Sequence, residues 1–369
     1  MTLSEYIARA DYYGRPLLSA LPPRLLTALY SSGRKYFLQS FFTANFNTVT
    51  VPAGLQVSCG SLIFRSPIFN AAGMFKNAEG YEQCYALGAG AYLAGTTTSL
   101  PREGNQKNGI IHPFCPYPRS MAASNWLGLP NEGHAIVAKK IAALPRYKHF
   151  PIGISVSADP GMNHEKALPL LIEGIHRYHD SGVDFIELNE SCPNTETIVH
   201  NHKTIDPELL HRLEHIANEC IVKPHRKVPV FLKFSNDIDD EQLYELIHIM
   251  NNLGFAGINI GNTSIKYKEL EKEFAEKEKR SFRYFYENYG GGTSGAVLKK
   301  RSLQMCKQAL EVMPEQSTMA VIRTGGISTA EDLRQSKNTG VTLHQWYTGF
   351  FEEFAHKGNN IYSSLYSKL

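Results

Sequence analysis

Phe185-Ile-Glu-Leu-Asn-Glu-Ser-Cys-Pro-Asn-Thr195 is the stretch whose reading decides the fold. A largely apolar run ends in two asparagines and a cysteine, with Pro193 breaking any further strand. The pattern predicts a buried strand that hands amide and thiol groups to a loop at its C-terminal end. In α/β enzymes that end carries the reactive side chains.

Runs of the same kind recur from Leu62 onward, each short, apolar and ending in Gly, Asn, Ser or Thr, with helix-period segments between them. Eight are counted, at 68–72, 91–97, 152–157, 185–189, 228–234, 256–261, 319–324 and 342–347. Residues 239–253 show the intervening pattern: an acidic start, Leu243, Leu246, Ile247 and Met250 on one face, and Gly254 as the stop. Residues 298–313 read the same way, as the helix before the seventh strand. No G-x-G-x-x-G follows an early strand. The expected fold is therefore α/β, a (β/α)8 TIM barrel over residues 51–369, with one active site built at the C-terminal ends of its strands.

Residues 1–50 differ. Leu17, Leu18, Leu21, Leu25, Leu26 and Leu29 fall at helical spacing, and Pro22-Pro23 divides two short helices, with Pro23 suited to a first helical turn. Arg24, Arg34 and Lys35 flank the apolar face, and Tyr36, Phe37, Phe41 and Phe42 follow. This N-terminal helical extension is expected either to touch a membrane surface peripherally or to cap the barrel wall.

With 43% hydrophobic residues in 369, the chain can bury a large core. A net charge of +3 supplies no field for nucleic acid, which favours small-molecule chemistry. Six cysteines without C-x-x-C spacing imply neither a disulfide framework nor a zinc site, as expected of a reducing, cytoplasmic compartment. No apolar run reaches the ~18 residues of a spanning helix, and the N-terminus lacks the order of a secretory signal.

The strand ends supply Ala72, Gly73 and Lys76; Thr96 and Thr97; Ser155; Asn189, Cys192 and Asn194; Lys233; Asn262 and Thr263; Gly325 and Gly326; and Tyr347, Thr348 and Gly349. Most are small, amide-bearing or basic. Scarce carboxylates disfavour a paired-carboxylate glycosidase or a carboxylate-held metal, and no metal is expected. Glycines after the last two strands suit a phosphate, because backbone N–H groups at a helix start must come close to it. The glycine-rich loop at 290–295 would let backbone approach a cofactor. Residues 266–280 are densely charged, with Glu273/Lys277 and Glu276/Arg280 at i,i+4 spacing, and read as a solvated helix inserted over the barrel mouth.

Several motifs then stand in one order: Asn70-Ala71-Ala72-Gly73, Gly95-Thr96-Thr97-Thr98, Arg102-Glu103-Gly104-Asn105 and Asn125-Trp126-Leu127-Gly128-Leu129-Pro130-Asn131. After them come Asn189-Glu190-Ser191-Cys192-Pro193-Asn194, Lys233, Asn262-Thr263, Gly291 to Gly295, Gly325-Gly326-Ile327 and Tyr347-Thr348-Gly349-Phe350. From about Leu62 to Lys357 the chain thereby resembles the dihydroorotate dehydrogenase family of flavin barrels. The resemblance implies FMN bound across the barrel mouth by Ala72, Gly73, Thr96, Thr97, Ser155, Thr263, Ser294 and Tyr347, with its phosphate at Gly295, Gly325, Gly326, Thr348 and Gly349. Lys233 would lie beside the isoalloxazine. It also implies oxidation of dihydroorotate to orotate in pyrimidine biosynthesis, with Cys192 as base and hydride passing to flavin N5. Lys76, Asn125, Gly128, Leu129, Asn189, Asn194 and Asn262 would frame the substrate. A free thiol at its reference pKa of ~8.5 is only a few per cent thiolate near neutrality, so the site is expected either to lower that pKa or to work at an alkaline optimum.

Cys192 and Leu129-Pro130-Asn131 resemble the soluble cysteine-base branch of that family, whereas the extension, Lys76 and Gly95 resemble the membrane-associated serine-base branch. The electron acceptor therefore stays open between quinone and fumarate. Glu190 replaces an apolar residue; strand alternation directs it towards the surrounding helices, where it needs a cationic or hydrogen-bonding partner. Two other readings compete, a related flavin barrel acting on uracil or dihydrouridine and a flavin-binding barrel without catalysis. The sequence carries no signature of oligomeric state.

Overall fold

The computed structural model describes residues 1–190 and 205–369. Among them, eight strands form one parallel sheet: β1 (Ile68–Asn70), β2 (Tyr92–Thr97), β3 (Ile152–Val156), β4 (Phe185–Asn189), β5 (Val230–Phe234), β6 (Gly257–Ile260), β7 (Ala320–Thr324) and β8 (Leu343–Trp346). Neighbours in sequence are neighbours in the sheet, and β8 returns to pair with β1. Between β1 and β2 the Gly73 N–H donates to the Gly95 carbonyl (2.6 Å) and the Gly95 N–H to the Phe75 carbonyl (3.0 Å), so the ring is nearly closed. The expected TIM barrel is the observed fold, and each of the eight predicted runs contributes one strand.

Side-chain alternation builds the interior in layers. Phe69 and Phe185 point inward and meet Phe64, which comes from the hairpin Val57–Cys59 and Leu62–Phe64, and Phe231 packs edge-on against Phe185. Gly153 makes room for this layer, because a Cβ there would lie 2.2 Å from the Phe185 ring. Two residues further along their strands, Glu187 and Lys233 replace aromatics with charge. Outside the barrel, the helix Asp240–Leu253 buries Leu243, Leu246, Ile247 and Met250, and Gly254 ends it in a left-handed conformation, as the spacing predicts.

The extension is two helices, α1 (Leu3–Leu18) and α2 (Pro23–Phe42), of 16 and 20 residues, longer than the short pair expected. Thr2 and Glu5 form a capping box on α1, and Pro23 opens α2 at its first turn. The pair rests on the last barrel helix, Thr348–Lys357. Phe37 and Phe41 pack edge-on against Phe354, while Arg15 bonds Asp11 (2.7 Å) and Glu352 (2.5 Å). The opposite face leaves Tyr6, Tyr13, Leu17, Leu25 and Tyr36 exposed. Among the described residues no helix is long and apolar enough to cross a membrane.

The charged segment departs from expectation. Its main helix is Glu276–Tyr289, and one face is not solvated: Phe282, Phe285 and Tyr289 join Leu26 of α2 and Tyr117 in a second apolar cluster. Glu278 is buried there and accepts from the Arg119 and Ser120 N–H groups (2.8 and 2.9 Å). The aromatic residues at 282, 285 and 289 lie beyond the charge run, which hid the buried face.

Burial holds the pKa values of His134, His179 and His344 down at about 4. An unfolded histidine takes up a proton near pH 6.5, so falling pH favours the unfolded chain. Stability should therefore be lost as pH drops from about 6.5 towards 4. Thermal unfolding midpoints measured across that interval test this, and a flat profile would contradict it.

Candidate active site

The C-terminal ends of the strands open into one pocket. Ala72, Gly73 and Lys76 follow β1; Thr96 comes from β2, Asn189 from β4 and Lys233 from β5; Asn262 and Thr263 follow β6, Gly325 and Gly326 follow β7, and Tyr347, Thr348 and Gly349 follow β8. A separate antiparallel sheet of Phe114–Tyr117, Ala122–Asn125 and Gly292–Gly295 brings Asn125, Ser294 and Gly295 to the same space, which Leu129 also lines. Three expected residues do not line it. Thr97 is one residue along from Thr96 and faces a helix instead, its hydroxyl 2.8 Å from that of Tyr178. Ser155 is fully buried behind Thr96, with the two hydroxyls 2.9 Å apart. The Gly128 carbonyl accepts from Arg102 (3.3 Å). Cys192 and Asn194 lie outside the described residues.

One end of the pocket is built for an anion. The helix Thr348–Lys357 begins there, and the N–H groups of a first turn have no carbonyl partner within their own helix. Gly349 lets this helix start press against the turn after β7, because a Cβ would lie 2.1 Å from the Ile327 carbonyl oxygen. The Ser294 and Thr348 hydroxyls meet at 2.9 Å beside it. Among the described residues no carboxylate lines the pocket.

The other end is a frame of amides. Asn189 donates from Nδ2 to the Thr96 hydroxyl (2.9 Å), and its Oδ1 accepts from Asn262 Nδ2 (3.3 Å). The Thr263 N–H in turn holds Asn262 Oδ1 (2.9 Å), and Asn125 donates to the Gly292 carbonyl (3.4 Å). Each side-chain amide presents both a donor and an acceptor, which matches the edges of a planar ring carrying amide units.

Lys233 stands on the pocket floor, only 2% exposed. Its ammonium bonds Gln345 Oε1 (3.1 Å) and lies 3.4 Å from Glu187 Oε1, an ion-pair distance without hydrogen-bond alignment. The other Glu187 oxygen accepts from Asn259 Nδ2 (2.7 Å) and Gln345 Nε2 (2.6 Å), and Thr324 donates to Asn259 Oδ1 (2.8 Å). Removing one member of a pair so buried typically costs about 3–5 kcal/mol. Sequence reading missed Glu187, Asn259 and Gln345. Their signal is parity: Glu187 shares the inward face of β4 with Phe185 and Asn189, so a carboxylate in that run has to be answered inside the barrel.

Glu190 points the other way, as alternation requires. Arg212, on the helix Pro207–Ile216, grips it with two bonds of 2.8 Å. Burial disfavours the Arg212 charge, but Glu190 outweighs it and holds the guanidinium above its ordinary value. Arg34 of α2 reaches the pocket rim and donates to the Tyr347 hydroxyl (3.0 Å), which ties the extension to the site.

The dihydroorotate dehydrogenase family matches residues 54–369. The chain is 30% identical over 303 residues to the dihydroorotate dehydrogenase (quinone) of Christiangramia forsetii, covering 82% of this chain and 81% of that protein. It is also 30% identical over 298 residues to the enzyme of the same name from Chelativorans sp., covering 80% and 76%. Among solved structures, dihydroorotate dehydrogenase from Eimeria tenella in complex with ferulenol gives a TM-score of 0.74 at 20% identity, covering 91% of this chain and 89% of that one. Its ligand-free form gives 0.71 at 22% identity, covering 96% and 94%. At these identities the two structures speak for the fold alone. Because the family match runs through all eight barrel strands and every segment that lines the pocket, the chain belongs to the dihydroorotate dehydrogenase family of oxidoreductases.

Proposed function

We propose that this protein binds FMN and oxidises dihydroorotate to orotate in pyrimidine biosynthesis. The observation that carries the reading is the union, in one pocket without a lining carboxylate among the described residues, of an anion cradle at Gly325, Gly326, Thr348 and Gly349 with a buried lysine, Lys233. The donor set fits the cofactor: glycine backbone and two hydroxyls for a phosphate, and a fixed cation for the negative charge that a flavin ring gathers on reduction. FMN, when bound, supplies N5 as hydride acceptor. The chain does the remaining work. Asn125, Asn189, Asn194 and Asn262 orient the ring amides, with Gly128 and Leu129 shaping the same wall, and Lys76 pairs with the substrate carboxylate. Ala72, Gly73, Thr96, Thr263, Ser294, Gly295 and Tyr347 surround the cofactor, with Ser155 supporting Thr96 from behind. Cys192 takes the proton from substrate C5 while hydride leaves C6.

In this reading residues 51–369 form the catalytic barrel and 1–50 an extension that brings a quinone to the rim. The relatives named as quinone enzymes and the Arg34–Tyr347 bond favour quinone over fumarate. The protein would work at the cytoplasmic face of a membrane, touching it through the exposed apolar residues of α1 and α2.

Purified protein should show a flavin absorption spectrum that dihydroorotate bleaches without oxygen, faster as pH rises above neutrality; a flavin spectrum unchanged by dihydroorotate at every pH would refute the substrate. Cys192→Ala should retain FMN and slow that bleaching on the order of 10²-fold or more. In a liposome co-sedimentation assay, Leu17→Glu combined with Leu25→Glu should reduce binding to anionic vesicles, and equal binding would remove the membrane contact from the proposal.

A further inference from the structure

Glu187 has no role in that chemistry. It does not line the pocket, yet it is a carboxylate only 1% exposed in the middle of a barrel, one layer beneath the floor. A buried charge of this kind is tolerated only where it is paired and its remaining valences are satisfied. Here the pairing has a direction. Asn259 and Gln345 both donate to Oε2, which fixes the carboxylate plane and leaves Oε1 facing the Lys233 ammonium at 3.4 Å. Gln345 bridges the two charges, because its Nε2 donates to Glu187 while its Oε1 accepts from Lys233 (3.1 Å). The Thr324 hydroxyl lies within reach of both amide oxygens, 2.8 Å from Asn259 Oδ1 and 3.2 Å from Gln345 Oε1, with its one proton shared between them.

Strand register explains why these groups meet. Asn189 pairs with Lys233, and Lys233 with Asn259, so the lysine stands at the level of the pocket asparagine while Glu187 stands one inward position lower on β4. The ammonium is thus held from below by a negative charge and presents its other side to the cleft.

We propose that Glu187 is a positioning residue for Lys233, a counter-charge that fixes the ammonium on the floor and sets how much positive field the bound cofactor feels. The inference rests on the reading of the pocket as an FMN site. A lone cation beneath the ring would stabilise the reduced cofactor strongly, whereas a cation neutralised from behind does so less. The carboxylate therefore tunes the reduction potential without touching substrate or cofactor.

The test is the two-electron reduction potential of the bound flavin, read by spectroelectrochemistry. Glu187→Gln preserves shape and an acceptor for the two amides but removes the charge. It should keep FMN bound and raise the potential by an amount equivalent to about a tenfold change in the reduction equilibrium, ~30 mV for a two-electron couple. Glu187→Asp, which draws the carboxylate back by one methylene, should raise it by less. Lys233→Met should lower it. A merely structural role for Glu187 predicts lost thermal stability with an unchanged potential, and that result, or a lowered potential in Glu187→Gln, would overturn the inference. If Glu187→Gln does not fold, Glu187→Asp carries the same test: a potential above that of wild type supports the inference, and an unchanged or lowered one overturns it. Wild-type protein that takes up no FMN would overturn the functional reading and this inference together, whereas wild type that binds FMN beside a variant with no shift overturns the inference alone.

Discussion

Along every strand of a closed parallel barrel, successive side chains point inward and outward by turns, and the inward ones must fill a space that water does not reach. In this protein that constraint sets an aromatic layer against a polar one. Phe69, Phe185 and Phe231 fill the first, while in the second Glu187 lies beneath Lys233, the amides of Asn259 and Gln345 complete the charge pair, and Asn189, in register with Lys233, faces the pocket. The polar layer is the costly one. Two charges in a low-dielectric interior are tolerated because the oxygens and nitrogens around them are almost all occupied by partners on three other strands.

The same alternation couples the site to the outside. Glu190 leaves β4 on the face opposite Asn189 and is met by Arg212, so the end of the strand that leads to Cys192 is held from the helical layer as well as from within. On the other flank, Arg34 ties α2 to Tyr347, while Arg15 ties α1 to Glu352 on the helix whose start forms the anion cradle. The extension is thus fastened at the start and in the middle of one barrel helix.

Much of this architecture is legible in the sequence because it depends on short-range pattern. Eight runs with turn-forming ends, spaced by amphipathic segments, are enough to indicate the barrel, and Pro23 and Gly254 mark helix boundaries through backbone geometry alone. The residues at strand ends are legible because the fold assigns function to that place. The helix Glu276–Tyr289 reads as solvated and is not, since its charged first half dominates the composition while its aromatic second half finds a partner only when α2 arrives from far away in sequence.

The sequence by itself determined the order of elements, the barrel, the small and amide-bearing rim and the family motifs, all of which follow from local periodicity and from residue types at fixed spacing. Tertiary structure decided which side chains share a level. Thr96 lines the pocket and Thr97 does not, Ser155 lies behind rather than within it, and Glu187 faces Lys233 instead of disturbing an apolar run. The physical reason is register: alternation tells which way each residue points, but only the hydrogen-bonded pairing of neighbouring strands fixes its height, and a charge is answered only by a group within reach of that height.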